Sequence, residues 1–420
     1  MVGITPSVSR GRLARVSGVL LIVTALTIGL FAGPAAQPST VLQTTVLQSV
    51  GGGNGGRSAF GGAGADCTPP SAELERAVPW AQQRLAPERV WPLTRGEGVT
   101  VGLIDTGVDA SVPQLKGRVL PGVDIVNGGG RADDDCFGHG TFVAGIIGAA
   151  KQRGIGLSGL APAVRILPIR QANNSSDGTA AGMATGIVAA VDGGADVINI
   201  SASSFFPSQA LENAVKYATS NDVLIVTAAS NEAESGNPKA YPAAYPQVMA
   251  VGAIGPGGQK SSFSETGKFL SVVAPGEDII GISRTAGGHV QDSGTSYAAP
   301  FVAGVAALVR AYRPDLTAAQ VKRRIELTAD HPGTSLPDKA VGWGVVNPWA
   351  AVTTDIPEER GLAGALTAPG KVNPPAKPIP DVWARDNAMA FGAAAGLAAL
   401  LVLVLAVVIP RGRTRGWRPA

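Results

Sequence analysis

Residues 98–109 read GVTVGLIDTGVD, and this stretch decides the fold class. Its first seven residues are almost all apolar, with no alternation of polar and apolar positions. Such a run is typical of a strand in a parallel sheet that helices cover on both faces. The run ends at Asp105, so a carboxylate follows a buried strand directly.

Runs of the same kind recur along the chain and alternate with segments of helical composition. The predicted strands are 98–105, 164–170, 195–201, 222–230 and 247–254. The predicted helices are 141–150, 179–194, 208–220, 296–312 and 317–329. This alternation predicts an α/β fold with a parallel sheet and helices on both faces. Ligands bind such sheets at the carboxyl ends of the strands, where we expect to find Asp105.

Three polar residues at the ends of these elements form a potential catalytic set. Asp105 ends the first strand, His139 lies in GHGT (138–141), and Ser296 lies in SGTSYAAP (293–300) at a helix start. Each alone is a weak signal, because a serine at a helix start usually caps the helix and a strand-end aspartate usually belongs to a turn. Together they supply a nucleophile, a general base and a group that orients the base.

The chain resembles the subtilisin-like serine proteases over about residues 91–352. The motifs that carry this resemblance are, in order, VGLIDTGVD (101–109), FGHGTFVAG (137–145), GTSYAAPFVAG (294–304) and GWGVVNPWAA (342–351). The resemblance implies a subtilisin-like fold and peptide hydrolysis. It also implies that Ser296 is the nucleophile, that His139 accepts and returns its proton, and that Asp105 fixes the imidazole tautomer.

The same resemblance assigns an oxyanion hole. Asn231 follows the strand 222–230 and matches the family's oxyanion asparagine, whose amide would act together with the backbone N–H of Ser296. The residue before it is Ser230, where the family commonly has glycine.

A substrate-binding segment follows from the resemblance as well. In the family this segment binds the substrate backbone and lines the first specificity pocket. It is matched here by Ser201, Ala202 and Ser203. The family usually has glycine where Ser203 stands, and a side chain there would narrow the pocket. We therefore predict narrow specificity that favours small side chains next to the cleaved bond.

Both ends of the chain carry apolar runs that are typical of membrane-associated segments. Residues 1–36 contain three arginines, an apolar run and then small residues, as in a signal peptide, which is either removed or kept as an anchor. Residues 388–409 carry no charge and are long enough for a transmembrane helix, with a buried core helix as the alternative. The basic tail, 410–420, predicts a cytoplasmic C-terminus and an extracytoplasmic main domain.

The composition agrees with this arrangement. Hydrophobic residues make up 45% of the chain and charged residues only 15%, as expected when membrane segments are joined to a globular body. The formal net charge is +3, but seven of the 34 basic residues are arginines in the two terminal segments. Without them the basic residues are outnumbered by the 31 acidic residues. The outer part is therefore mildly acidic, which argues against nucleic acid as a partner.

The remaining segments complete a recognisable layout. We predict a glycine-rich flexible segment at 37–66, an N-terminal extension at 67–91, a peptidase domain at 92–352 and a proline-rich linker at 353–387. This layout is similar to that of the mycosins, the membrane-anchored proteases of type VII secretion systems.

The mycosin resemblance implies a single-pass plasma-membrane protein whose extension wraps the catalytic domain. It also implies protein substrates, partners among the membrane components of the secretion complex, contact with the lipid bilayer, and a role in stabilising the complex. Two alternatives are a structural subunit with vestigial proteolytic activity and a different serine hydrolase such as an esterase.

The chain has two cysteines, Cys67 and Cys136. In an exported protein such a pair favours a disulfide over two free thiols, and the mycosin resemblance implies the same bond. No cofactor and no metal is predicted, because Cys136 and His139 with the acidic run 133–135 lack a recognisable ligand spacing. The acidic run is as easily a solvated turn as a calcium site.

Overall fold

The computed structural model describes residues 67–174, 178–285, 287–333 and 335–360. Within these ranges a seven-stranded sheet forms the centre of the molecule. Its strands are β1 (Thr100–Asp105), β2 (Val123–Asp124), β3 (Arg165–Arg170), β4 (Val197–Ile200), β5 (Leu224–Ala228), β6 (Met249–Ile254) and β7 (Leu270–Pro275). They are arranged in the order β2-β3-β1-β4-β5-β6-β7, and neighbouring strands are parallel. A separate antiparallel hairpin consists of β8 (Ile279–Ile282) and β9 (His289–Asp292).

Helices lie on both faces of this sheet. In chain order they are α1 (Trp80–Leu85), α2 (His139–Gly148), α3 (Ala180–Asp192), α4 (Gln209–Ser220), α5 (Thr295–Tyr312), α6 (Ala318–Leu327), α7 (Pro348–Thr353) and α8 (Pro357–Arg360). One core cluster contains buried residues of α2 and α5, and a second contains buried residues of α3 and α4. Because alternate strand residues point to opposite faces, Leu103 of β1 lies in the first cluster and Ile104 in the second. The α/β prediction is therefore confirmed.

Polar side chains fix where several helices begin. The hydroxyl groups of Thr179, Ser208 and Thr317 each accept a hydrogen bond from a backbone N–H in the first turn of α3, α4 and α6. Gln320 completes a capping box with Thr317. Such caps satisfy N–H groups that have no partner within the helix, and they mark where each helix begins.

The sequence analysis did not predict β2, β7, β8 or β9. The strand β2 has only two residues, and β9 (HVQD) lacks the continuous apolar run of the central strands. The hairpin packs against α2, where a Cβ atom at Gly145 would lie 2.8 Å from the side chain of Ile282. Its position thus depends on a contact between distant segments, which local sequence does not reveal.

The predicted signal peptide (1–36), glycine-rich segment (37–66), transmembrane helix (388–409) and basic tail (410–420) lie outside the described residues, as does most of the predicted linker (353–387). Among the helices that the structure describes, none combines the length and the apolar character that crossing a membrane requires.

Candidate active site

Asp105 lies at the carboxyl end of β1, which runs between β3 and β4. Its side chain is buried, and Oδ1 accepts a hydrogen bond from the backbone N–H of Thr106 at 2.8 Å. The same oxygen lies 2.7 Å from Nδ1 of His139. Because an ionised carboxylate only accepts hydrogen bonds, this contact assigns a proton to Nδ1. In the neutral imidazole, Nε2 is then the nitrogen that can accept a proton.

The two glycines beside His139 have different structural roles. Gly138 precedes α2 with a φ of 95°, in the region that favours glycine. Gly140 lies so close to the loop after β1 that a Cβ atom there would be 2.0 Å from the carbonyl oxygen of Gly107. The first glycine therefore provides the turn into α2, and the second lets the helix start reach Asp105.

Asp135 supports this arrangement, although the sequence analysis did not identify it. Its buried carboxylate accepts hydrogen bonds from Thr106 Oγ1 (2.9 Å), the Gly138 backbone N–H (2.8 Å), and both the N–H (2.8 Å) and Oγ1 (2.7 Å) of Thr141. Asp135 thus caps the start of α2 and joins it to the residue after Asp105. The sequence signal that could have identified Asp135 was its position four residues before His139, where α2 begins.

The acidic run 133–135 is therefore only partly a solvated turn. The side chain of Asp134 is 77% exposed and pairs with Arg170, and Asp133 pairs with Arg131. Asp135, in contrast, is only 3% exposed, so the solvated-turn interpretation is wrong for this residue. In the portion of the chain that the structure describes, no group of three or more histidine, cysteine, aspartate or glutamate residues is arranged to hold a metal ion.

The electrostatic environment favours a charged imidazole at His139. Burial disfavours the imidazolium, but the charge and hydrogen bond of Asp105 oppose this effect, and the charges of Asp292 and Asp135 add to them. The net result is that the pKa of His139 lies above its ordinary value. A base with a raised pKa accepts a proton more readily. As the pH falls, it also becomes protonated, and so stops acting as a base, at a higher pH than an unperturbed histidine.

Ser296 is the second residue of α5, and a proline one turn further on shapes its surroundings. Pro300 lies inside the helix, in its second turn. Because proline has no N–H, the carbonyl of Ser296 receives no bond from that residue. The hydroxyl of Ser201 donates to this carbonyl instead at 2.8 Å, and the Ser296 hydroxyl donates back to the carbonyl of Ser201 at 3.3 Å.

Asn231 follows β5, and its side-chain amide is held in one orientation. Its Oδ1 accepts hydrogen bonds from both the backbone N–H and the hydroxyl of Thr295, each at 2.8 Å. The amide nitrogen is then the part that faces away from these donors. Ser230 has a φ of 93°, so this serine adopts a conformation that favours glycine.

The predicted site residues lie together at the carboxyl edge of the sheet. A single cleft is lined, among others, by Asp105, His139, Ser201, Ala202, Ser203, Asn231 and Ser296. They end β1, follow β4 and β5, or lie at the starts of α2 and α5. Segments far apart in the sequence therefore meet where the topology of a parallel sheet places its functional edge.

Cys67 and Cys136 form a disulfide that joins the start of the described chain to the loop before His139. Further contacts continue along the same segment. The backbone N–H of Thr68 donates to the Cys136 carbonyl at 3.0 Å, and the N–H of His289 donates to the Glu73 carbonyl at 2.7 Å. The segment from Cys67 to Leu85 therefore lies along the catalytic domain.

Comparison with known proteins agrees with this geometry. Residues 96–344 match the subtilase family, peptidase family S8. Mycosin-4 of Mycobacterium tuberculosis is 37% identical over 393 residues, which cover 83% of this chain and 85% of that protein. The chain belongs to the subtilase family and, within it, to the mycosins. It is a subtilisin-like serine protease.

Other subtilases show the same similarity. Mycosin-1 of Mycolicibacterium smegmatis is 35% identical and aligns with 72% of this chain and 77% of its own length. Subtilisin DY of Bacillus licheniformis is 39% identical and aligns with 61% of this chain and 92% of its own length. The crystal structure of MycP1 from the ESX-1 type VII secretion system is 33% identical, has a TM-score of 0.63, and is similar over 70% of this chain and 90% of its own. The subtilisin-like α/β fold is thereby confirmed.

Proposed function

We propose that this subtilase is an endopeptidase in which Ser296, His139 and Asp105 carry the reaction. The observation that carries the proposal is the 2.7 Å contact between Asp105 and Nδ1 of His139, within the cleft that Ser296 also lines. Nε2 of His139 accepts the hydroxyl proton as Ser296 attacks the peptide carbonyl, and then returns it to the leaving amine. Asp105 holds the imidazole tautomer and stabilises the imidazolium.

The tetrahedral intermediate carries a negative charge, and two donors are available for it. We assign these donors to the amide nitrogen of Asn231 and the backbone N–H of Ser296. The bonds from Thr295 to Asn231 Oδ1 support this assignment, because they fix the amide before substrate binds. Donors that are oriented in advance stabilise the transition state without a reorganisation cost.

Active-site labelling tests the assignment of the nucleophile. The full-length protein in detergent is treated with a fluorophosphonate probe, beside Ser296→Ala and the exposed-serine control Ser262→Ala. We expect labelling and peptide cleavage in the parent and in Ser262→Ala, and neither in Ser296→Ala, because only an activated hydroxyl attacks the probe. A parent that is not labelled, or a Ser296→Ala variant that is, would contradict the proposal.

The protease is further proposed to act outside the plasma membrane, anchored by residues 388–409. The absence of charge over this run and the basic residues after it support a single-pass topology with a cytoplasmic C-terminus. The parent protein should stay in the membrane pellet after alkaline carbonate extraction. Deletion of 388–420 should release the protein into the supernatant. Retention of the shortened protein in the carbonate-resistant pellet, with N-terminal sequencing showing that residues 1–36 have been removed, would refute the anchor.

A role within a type VII secretion complex is the second part of the proposal. It is supported by the similarity to a serine protease, MycP1, whose structure is described as that of an essential component of the type VII (ESX-1) secretion system. Secretion is compared in cells with the parent, with Ser296→Ala and with the gene deleted. Secretion that survives Ser296→Ala but fails on deletion supports a stabilising role beside proteolysis. Normal secretion after deletion of the gene refutes both the stabilising role and a role of proteolysis in secretion.

A further inference from the structure

Tyr297 follows Ser296 directly and has no part in the mechanism described so far. The residue is 4% exposed, and its ring centroid lies 5.4 Å from that of His139 and 4.5 Å from that of Phe142. Its hydroxyl donates to Oδ2 of Asp292 at 3.0 Å. One side chain therefore contacts the imidazole and a carboxylate from another element of the fold.

Building on the proposed function, we propose that Tyr297 and Asp292 are a second pair of positioning residues for His139. The Tyr297 ring limits the movement of the imidazole, and Asp292 supplies a negative charge that stabilises the imidazolium formed when Ser296 attacks. Asp105 would then share with this pair the tasks of orientation and charge stabilisation.

Asp292 is held in place from several directions. It ends β9, and its Oδ1 accepts a hydrogen bond from the backbone N–H of Ser293 at 2.7 Å, while Oδ2 accepts from Tyr297. Both oxygens thus accept a hydrogen bond, so the side chain is held at each end of the carboxyl group. The hairpin that carries Asp292 packs on α2 through Ile282, and α2 begins at His139. The carboxylate and the imidazole are therefore positioned by the same contact between elements.

The charges around His139 are consistent with this role. Asp105 faces it from β1, Asp135 from the loop before α2, and Asp292 from β9. The nearby cation on β3, Arg170, is engaged by the carboxylates of Asp124 and Asp134.

The Tyr297 phenol stays protonated beside these carboxylates. Its burial, together with the charge of Asp292, places its pKa well above the ordinary value, so the hydroxyl remains a donor.

Three variants separate the charge from the ring. Asp292→Asn removes the charge and keeps an oxygen for the Tyr297 hydroxyl. Tyr297→Leu removes the ring, and Tyr297→Phe restores it without the hydroxyl. The matched control is Asp278→Asn, an exposed aspartate beside the same hairpin whose Oδ1 accepts from Gln291. All are made in the full-length protein.

The pH dependence of kcat/KM is measured for each variant with a peptide substrate. In Asp292→Asn we expect the acid limb to move to lower pH by about half a unit or more, because the imidazolium loses one stabilising charge. The acid limb of the Asp278→Asn control should not move.

In Tyr297→Leu we expect kcat to fall by about tenfold with KM unchanged, and Tyr297→Phe should recover most of the loss. An unmoved acid limb rejects the role of Asp292, and an unchanged kcat in Tyr297→Leu rejects the role of the ring.

A second readout keeps this test separate from the proposed function. The His139 imidazole is titrated by NMR in the Ser296→Ala background, where no catalysis is required. Asp292→Asn should lower its pKa relative to the Asp278→Asn control, and Tyr297→Leu should shift the imidazole resonances by removing the adjacent ring. If the parent neither labels nor cleaves, the proposed function fails, yet this titration still decides whether the pair acts on His139.

Discussion

At the scale of single residues, the orientation of the Asn231 amide is the feature most directly linked to rate. We expect Asn231→Ala to lower kcat by about 10²–10³-fold with little change in KM, because the amide binds charge that appears only in the transition state. Steady-state kinetics on a peptide substrate measures this. Asn213→Ala, at an exposed position of α4, is the control. A rise in KM that accounts for the whole loss of kcat/KM, or an unchanged kcat, would show that Asn231 is only a turn residue.

Ser203 is the residue that we expect to restrict specificity. Its side chain lines the cleft where related proteases usually have glycine, so Ser203→Gly should enlarge the pocket for the residue next to the cleaved bond. A peptide library cleaved by the parent should show small residues at that position, and the variant should accept larger ones. The difference should be on the order of 1–3 kcal/mol in transition-state binding, or about 10–200-fold in kcat/KM. Equal acceptance of large aromatic residues by both proteins would overturn the specificity proposal.

At the scale of elements, the start of α2 depends on Asp135. Asp135→Ala leaves two buried hydroxyl groups and two backbone N–H groups without their shared acceptor, so we expect the free energy of unfolding to fall by about 2–4 kcal/mol. The control is Asp133→Ala, which removes only an exposed ion pair with Arg131 and should cost at most about 1 kcal/mol. Urea unfolding compares the three proteins. Equal losses in the two variants would mean that Asp135 does not hold the helix start.

The central elements were predictable because their residues carry the pattern themselves. Continuous apolar runs identified β1, β3, β4, β5 and β6, and strand ends or helix starts located Asp105, His139 and Ser296. Positions that depend on distant partners were not predictable. Tyr297 resembles any apolar residue of α5 until the hairpin brings Asp292 to its hydroxyl.

The same contrast applies to backbone detail. From the sequence, Ser230 was identified as a serine where the family commonly has glycine. In the structure this serine has a φ of 93°, a conformation that favours glycine. Pro300 lies in the second turn of α5, and its effect depends on which carbonyl it leaves without a bond inside the helix. That carbonyl belongs to Ser296, and its partner, Ser201, comes from the end of another strand.

At the scale of the whole molecule, the segment from Cys67 to Leu85 is attached to the domain at several points and does not enter the cleft. Among the residues that the structure describes, those lining the cleft include none from this segment. Backbone bonds at Thr68 and Glu73 fasten it beside the disulfide. We therefore expect the segment to stabilise the fold without inhibiting the protease.

Replacing both cysteines tests this expectation. The disulfide closes a loop with a sequence separation of 69 residues, so Cys67→Ser with Cys136→Ser should lower the free energy of unfolding by about 2–4 kcal/mol. Hydrolysis at 25 °C should be unchanged, because the bonds that hold His139 involve Asp105 and Asp135 and not the sulfur atoms. Urea unfolding and kcat/KM are measured on the same preparation, with the reduced parent as a second comparison. A rise in kcat/KM on losing the bond would identify the segment as an inhibitor, and an unchanged stability would show that its other contacts are sufficient.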